Sequence, residues 1–514
     1  MNKKQQQSYL GKYWILLLLV ALKLVLQFML VNPVYELHRD EFLHLDQAFH
    51  PAAGYISVPP FTSWTASIIY LLGGGIFWIR FFPAFFGALT IVFAWLTAEE
   101  LGGKLPAKIL TSVLLIFSVL ARLNILFQPN SFDILAWTIV FYLLIRYVNS
   151  LQSKWLLILS VILALGFYNK YNIIFLIAGL FAAFLMTSHR TIFIKREFYL
   201  ALAFCLILIS PNIFWQIQNN FPVILHMKAL NSSQLVNVNR ADFLIDQLKF
   251  GLIGIPALAA FWAIIFYKPF KSLRFIGWTF MVVIGLYTLA HAKNYYALGL
   301  YPVLIPIGSV YLEIVARRWR FILFPLIAAL SIAAFLLVAK YLMPFQSPEE
   351  IVANRATYEN IGLLRWEDGK NHPLPQDFAD MISWKEMADK SLAAWQMIPE
   401  NELKNTLIFC DNYGQTGALN FYNRGKMPQA YSFNTDYAFW LPEIKQIRNV
   451  IKVGDVPEKE VSEMFTEVRL IGEVENEFAR EKGTKIYLLT GANAHFTEWF
   501  NKLAAERKAS FRIF

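Results

Sequence analysis

Only two cysteines occur in the 514 residues, Cys205 and Cys410. One lies in an apolar run and the other in the more polar C-terminal part, so no disulfide framework and no thiolate metal site is expected. Charge is scarce too: 16% of residues are Asp, Glu, Lys or Arg, against ~25% in soluble domains. No Gly-x-Gly-x-x-Gly follows a strand-like run and no Gly-rich phosphate-binding loop ending in Gly-Lys occurs, which leaves no nucleotide fingerprint. Internal repeats and low-complexity stretches are absent from the sequence. The net charge of +10 invites a nucleic-acid reading. That reading fails because the basic residues are spread over short loops between apolar runs and form no stripe.

What is present is apolar. Hydrophobic residues make up 57%, with 45 Phe and 15 Trp, where soluble domains run ~45–50%. A membrane helix needs ~20 mostly apolar residues. Such runs occur near 13–31, 80–101, 107–124, 131–148, 155–169, 172–188, 198–217, 244–267, 275–291, 299–316 and 320–342. They predict a mainly α, polytopic bundle of about eleven spans. The stretch 61–79, interrupted by Gly73-Gly74-Gly75, reads as a helix lying at the interface. No small-residue cleavage site follows the first run, so an uncleaved span is expected there.

Lys and Arg in alternate loops set the orientation. One side carries Lys3, Lys4 and Lys12, Lys104 and Lys108, Arg146 and Lys154, Arg190, Lys195 and Arg196, Lys268, Lys271 and Arg274, and Arg317, Arg318 and Arg320. The other side mixes Arg39, Arg122, Lys170, Lys228, Arg240 and Lys293 with Glu36, Asp40, Glu41, Asp46, Asp133, Asp242 and Asp246. The basic side is expected in the cytoplasm. The N-terminus is then cytoplasmic, and loop 32–79 and everything after 343 lie outside. Residues 1–343 form the membrane domain in this reading. Residues 344–514 form a small α/β domain on the outer face, with strand-like runs at 406–410, 448–452, 466–472 and 485–489 and helices at 414–422 and 495–508.

The first outer loop, Tyr35 to Asp46, is the most informative segment. Acidic residues beside a membrane interface cost solvation energy unless they have a task or a partner. Asp40-Glu41 directly precede a short helical stretch. A carboxylate there can act as general base on an acceptor hydroxyl or amine, or Asp40 can simply cap the helix. Val58-Pro59-Pro60-Phe61 is a stiff turn that fixes the entry angle of the next helix. Asp133 follows Gln128-Pro129-Asn130-Ser131. Lys170, in Tyr168-Asn169-Lys170-Tyr171, goes against the local charge bias; it can bind a lipid phosphate or snorkel to the headgroups. His291-Ala292-Lys293-Asn294-Tyr295-Tyr296 can hold a phosphate or a sugar, or serve as an aromatic belt. No cluster has strong metal-ligand spacing. A divalent cation on Asp40, Glu41 and His44 is kept below the metal-free reading.

These motifs, in this order, resemble the membrane glycosyltransferases of the C superfamily. The nearer likeness is to the dolichyl-phosphate-mannose protein mannosyltransferase group, which includes lipid A aminoarabinose transferases. The shared elements are Asp40-Glu41, Pro59-Pro60, Arg80-Phe81-Phe82-Pro83 through Leu101-Gly102-Gly103, and Gly166-Phe167-Tyr168-Asn169-Lys170. Pro211 through Trp215 and Lys293-Asn294-Tyr295-Tyr296 through Tyr301-Pro302 continue the series. Two departures stand out: Val58 replaces a Lys or His that relatives often carry before the Pro pair, and Pro129 and Asp133 are more widely spaced than the matching element. The resemblance implies a glycosyltransferase C fold in a bacterial inner membrane, a polyprenyl-phosphate sugar as donor, and inverting transfer to a lipid, glycan or protein acceptor on the outer face. It implies Asp40 as base, Glu41 as its partner, and Lys170 and Lys293 on the departing phosphate. Tyr295 and Tyr296 then contact the sugar or lipid, with His291, Asp133, Pro59 and Pro60 lining the site. The competing reading is a transporter or flippase of lipid-linked or glycan substrates. No matching halves with broken helices support it. A scaffold whose outer domain binds a partner is a third reading.

Overall fold

The computed structural model describes residues 3–233, 238–252 and 255–510. The chain forms two compact units. The first comprises Met1–Val31, Phe77–Ile213 and Leu230–Met343. The second comprises Asn32–Ile76, Phe214–Ala229 and Pro344–Phe514.

The first unit is helical. Among the described residues five helices are long and apolar enough to cross a membrane: Ile76–Glu100, Pro129–Ser150, Arg196–Gln218, Lys268–Leu289 and Arg320–Leu342. The number is up to 7 if each of two bent helix pairs is one span. Shorter apolar helices are Tyr13–Met29, Leu105–Ile116, Lys154–Asn169 and Ile255–Phe266.

One expected span is broken among the described residues. The run 107–124 splits into helices Leu105–Ile116 and Leu120–Leu123. The Ser118 hydroxyl there donates to the Leu115 carbonyl and accepts from the Leu120 amide, a local alternative to the helical ladder. The run 244–267 holds the helices Arg240–Leu252 and Ile255–Phe266, and its residues 253 and 254 lie outside the described ones.

The core sits around Pro129–Ser150, which is buried on all sides, with Trp137, Val140, Phe141 and Ile145 fully covered. A helix apolar all round belongs inside a bundle. By contrast, Arg320–Leu342 leaves Phe321, Ile322, Leu330, Leu336 and Leu337 exposed. Such a surface suits lipid tails and not water. Helices Ile255–Phe266 and Leu304–Val315 touch at backbone distance, because a Cβ added at Gly308 would overlap the Pro256 carbonyl. Small residues let membrane helices approach in this way. Gly308→Ala is expected to cost ~1–3 kcal/mol through overpacking. It should lower the melting temperature in detergent, and unchanged melting would contradict this packing.

The second unit holds a five-stranded sheet of β1 (Thr406–Cys410), β2 (Tyr431–Ser432), β3 (Asn449–Gly454), β4 (Glu467–Glu473) and β5 (Lys485–Thr490). Its order is β2-β1-β3-β5-β4. β1 pairs in parallel with β2 and β3, while β5 is antiparallel to β3 and β4. The helix Tyr413–Tyr422 makes the crossover from β1 to β2. β2 has two residues, too few for a sequence pattern. Strand β4 lies at an edge, mostly exposed, with a bulge between Leu470 and Gly472, a common way of blunting an edge. The loop 32–76 belongs to this unit with its two helices, Arg39–Asp46 and Phe61–Leu71. The stretch 61–79 is not one helix. Phe61–Leu71 ends at Gly73 and Gly74, both at positive φ, and a new helix starts at Ile76.

Candidate active site

The predicted site residues divide between the units. Asp40, Glu41, Pro59 and Pro60 lie in the second, and Asp133, Lys170, His291, Lys293, Tyr295 and Tyr296 in the first.

In the second unit the helix Arg39–Asp46 begins with a capping box, but its cap is His38 and not Asp40. His38 Nδ1 accepts from the Asp40 amide at 3.2 Å, and Glu41 Oε2 accepts from the His38 amide at 2.7 Å. Glu41 is fully buried in this role, so its carboxylate serves the helix start. Asp40, one position earlier, is spared capping. Its Oδ1 accepts from the Tyr413 hydroxyl at 2.7 Å, and 35% of its side chain is exposed. Burial alone would raise the Asp40 carboxyl. The charges of His38 and Arg39 and the Tyr413 hydrogen bond outweigh it and hold the group at about 2. His38 moves the other way: burial would lower it, but Asp40 and Asp380 raise it to about 9. At neutral pH Asp40 is thus a carboxylate.

His38, Asp377 and Asp380 place ligand atoms within 4.8 Å of one another. A divalent cation does not fit this set. Asp380 is already matched by His38 and Arg39, each at 3.6 Å, and by Arg480 at 3.2 Å. A metal would have to displace or neutralise that positive charge. Glu41, being committed to the cap, does not fit the cation site expected with Asp40 and His44 either.

Two further carboxylates tie the first loop to the C-terminal segment. Asp46 Oδ2 accepts from Asn420 and Tyr437, each at 2.7 Å, and Oδ1 lies 3.3 Å from Arg424. The Arg424 guanidinium stacks on Phe49 at 3.7 Å. Asp436 accepts from the Ile56 amide at 2.6 Å and from Ser57 and Gln47 at 2.8 Å each. Burial pushes Asp46 up to about 6 against the pull of Asn420, Tyr437 and Arg424. An acid with a raised folded-state pKa adds stability that is complete below the unfolded value and lost as pH rises through about 6. Asp46→Asn cannot ionise. Its melting temperature relative to the parent is expected to rise between about pH 4 and about pH 8, an effect of ~2–3 kcal/mol. Parallel curves would contradict this.

In the first unit Lys170 sits just past the end of helix Lys154–Asn169. Its ammonium donates to Asn130 Oδ1 at 3.0 Å and lies over the Tyr296 ring at 4.2 Å and the Tyr295 ring at 5.3 Å. Tyr295 and Tyr296 belong to the short helix Asn294–Leu300, which begins after Lys293. Asp133 lies beneath them as a buried brace. It accepts from Asn172 at 2.7 Å and from Trp137 at 3.1 Å, and Asn172 also donates to the Tyr296 carbonyl at 3.2 Å. Asp133 therefore positions the Tyr296 segment from inside. His291 adopts positive φ and its Nδ1 lies 3.1 Å from the Val238 carbonyl. Pro59 and Pro60 are buried, and Pro60 is the residue before helix Phe61–Leu71. The cluster offers a cation held by an amide oxygen and two aromatic faces, which can receive an anionic group.

Sequence reasoning did not find Tyr413, His38, Asp380, Arg424 or Asp436. Tyr413 is 373 residues from Asp40, beyond any local pattern.

The family model described as Dolichyl-phosphate-mannose-protein mannosyltransferase matches residues 57–215. Lipid A galacturonosyltransferase RgtD of Rhizobium johnstonii is 23% identical over 248 residues, 46% of this chain and 51% of that protein. The chain thus spans about half the length of the curated relative it matches. ArnT from Cupriavidus metallidurans, solved bound to undecaprenyl phosphate, superposes with a TM-score of 0.61 at 14% identity, covering 93% of this chain and 98% of that one. Arabinofuranosyltransferase AftD from Mycobacteria gives a TM-score of 0.52 at 14% identity, over 94% of this chain and 40% of that one. The resemblance to the C-superfamily membrane glycosyltransferases that the motifs carry is thereby borne out, and the fold of this chain is theirs.

Proposed function

We propose that the chain is an integral membrane glycosyltransferase that moves a sugar from a polyprenyl-phosphate donor to an acceptor on the outer face of a bacterial inner membrane, with Asp40 as base. One observation carries this reading: Asp40 is a partly exposed carboxylate kept ionised by His38 and Arg39 and oriented by Tyr413. The family match over 57–215 and the lipid-phosphate ligand named for ArnT support the donor class. The excess of Lys and Arg on one set of loops supports an outer-face site.

The acceptor oxygen or nitrogen attacks the anomeric carbon from the face opposite the phosphate. The bond from that carbon to the phosphate oxygen breaks, and its electron pair leaves with the polyprenyl phosphate. Asp40 takes the acceptor proton. A carboxylate held near 2 is a weak base, so the transfer is late, after the attacking atom has gained positive charge. The departing phosphate gains charge, which Lys170 stabilises, with Lys293 as a second cation. Tyr295 and Tyr296 hold the Lys170 ammonium and present their rings to the sugar or lipid.

The reading is tested by stereochemistry. The protein in lipid nanodiscs is given an undecaprenyl-phosphate sugar of known anomeric configuration, with host membranes as acceptor. A product of opposite configuration, with free undecaprenyl phosphate released, is expected. Retained configuration would overturn the single displacement.

A further inference from the structure

The segment 344–514 supplies more than a cover for the first loop. Tyr413 is the first residue of the helix Tyr413–Tyr422, which starts with a capping box of Asn412 and Gln415. The same two side chains donate to the carboxylate of Glu481, at 3.1 Å from Asn412 and 2.7 Å from Gln415. The helix start is therefore fastened by side-chain hydrogen bonds on both sides of its cap.

Two glycines then bring this helix against Arg39–Asp46. A Cβ at Gly414 would lie 2.9 Å from Trp384 and 3.0 Å from the Arg39 Cβ, and one at Gly417 would lie 2.6 Å from the Phe42 Cβ. Contact this close leaves the Tyr413 hydroxyl little freedom. It meets Asp40 Oδ1 at 2.7 Å, with the Arg39 guanidinium 5.5 Å from the ring centre.

We propose that the C-terminal segment takes part in the reaction through Tyr413, a positioning residue that holds one oxygen of Asp40 so that the carboxylate keeps the orientation proton transfer needs. This rests on the reading of Asp40 as base. The terminal torsion of Asp is broad, and the hydroxyl at 2.7 Å fixes it more tightly than the ion pairs to His38 and Arg39 at 3.8 Å each. The charged and titratable groups around Asp40 are His38, Arg39 and His44 from its own segment and Tyr413 from the facing helix, with Asp380 acting on His38 and Arg39. A hydrogen bond to a charged group that exists in the reacting state is worth about 10-fold in rate.

The test compares parent, Tyr413→Phe, Asp40→Asn and the double variant as full-length protein in nanodiscs, using the labelled undecaprenyl-phosphate sugar that the parent transfers. Tyr413→Phe is expected to lower kcat about 10-fold with the donor KM unchanged. The acid-side loss of activity should move toward neutral pH, because one group that lowers the Asp40 pKa is gone. The double variant should be no slower than Asp40→Asn. An inactive Asp40→Asn beside a Tyr413→Phe with parental kcat and pH profile would overturn the positioning role and leave the base in place. An active Asp40→Asn would overturn the base and the positioning role with it. If Tyr413→Phe does not yield folded protein, Tyr413→Gln and Tyr413→Leu replace it. They are similar in size and only Gln can donate, so Gln is expected to keep the higher kcat; equal values would overturn the proposal.

Discussion

Asp40→Asn is expected to lower kcat by ~10²–10⁴-fold, the range for removing a general base. Asn nearly preserves the shape of the side chain and can still accept from Tyr413 through its amide oxygen. The Arg39–Asp46 helix keeps its cap, because that cap is built from His38 and Glu41. Loss of rate without loss of folding therefore isolates the proton acceptor. The measurement is initial-rate transfer beside a melting curve. A rate within a few-fold of the parent would remove Asp40 from the chemistry. Glu41 is a poor replacement, since its oxygen accepts from the His38 amide inside the protein.

Lys170→Ala should cost ~10²–10³-fold in kcat, the scale for removing one group that stabilises developing charge. Its ammonium is held by Asn130 and two tyrosine rings, and the nearby Asp133 carboxylate is hydrogen-bonded to Asn172 and Trp137. Rings and an amide oxygen fix a cation without cancelling its charge, which leaves that charge available to a departing phosphate. Lys170→Arg should recover only part of the loss, because a planar fork cannot reproduce a point charge over the same rings. The check is kcat and donor KM for both variants. A rise in KM alone would assign Lys170 to ground-state binding.

The parts of the fold that were legible in the sequence are those with a strong local pattern. The strand Thr406–Cys410 and the span Arg320–Leu342 fall where their apolar runs place them. The break at 117–119 was not legible from hydropathy, because an interrupted segment stays apolar throughout. In the site, the lysine and the two tyrosines that the sequence grouped only by chemistry are brought together around one ammonium. Glu41 was expected as a partner of the base Asp40, and its place in the helix cap was missed because His is an uncommon partner in a capping box. The Asp40–Tyr413 contact and the Asp46 and Asp436 anchors join residues more than 370 positions apart, and no sequence period reports on such pairs.

Sugar transfer from a polyprenyl-phosphate donor underlies every role assigned above. Its most direct measurement is radiolabel transfer to host membranes by the intact protein from a panel of undecaprenyl-phosphate sugars, including mannosyl, galacturonosyl and arabinosyl forms, beside the matching nucleotide sugars. The account predicts labelled product from at least one lipid-linked donor and none from the nucleotide sugars. Transfer from a nucleotide sugar, or no transfer from any lipid-linked donor by folded protein, would contradict it.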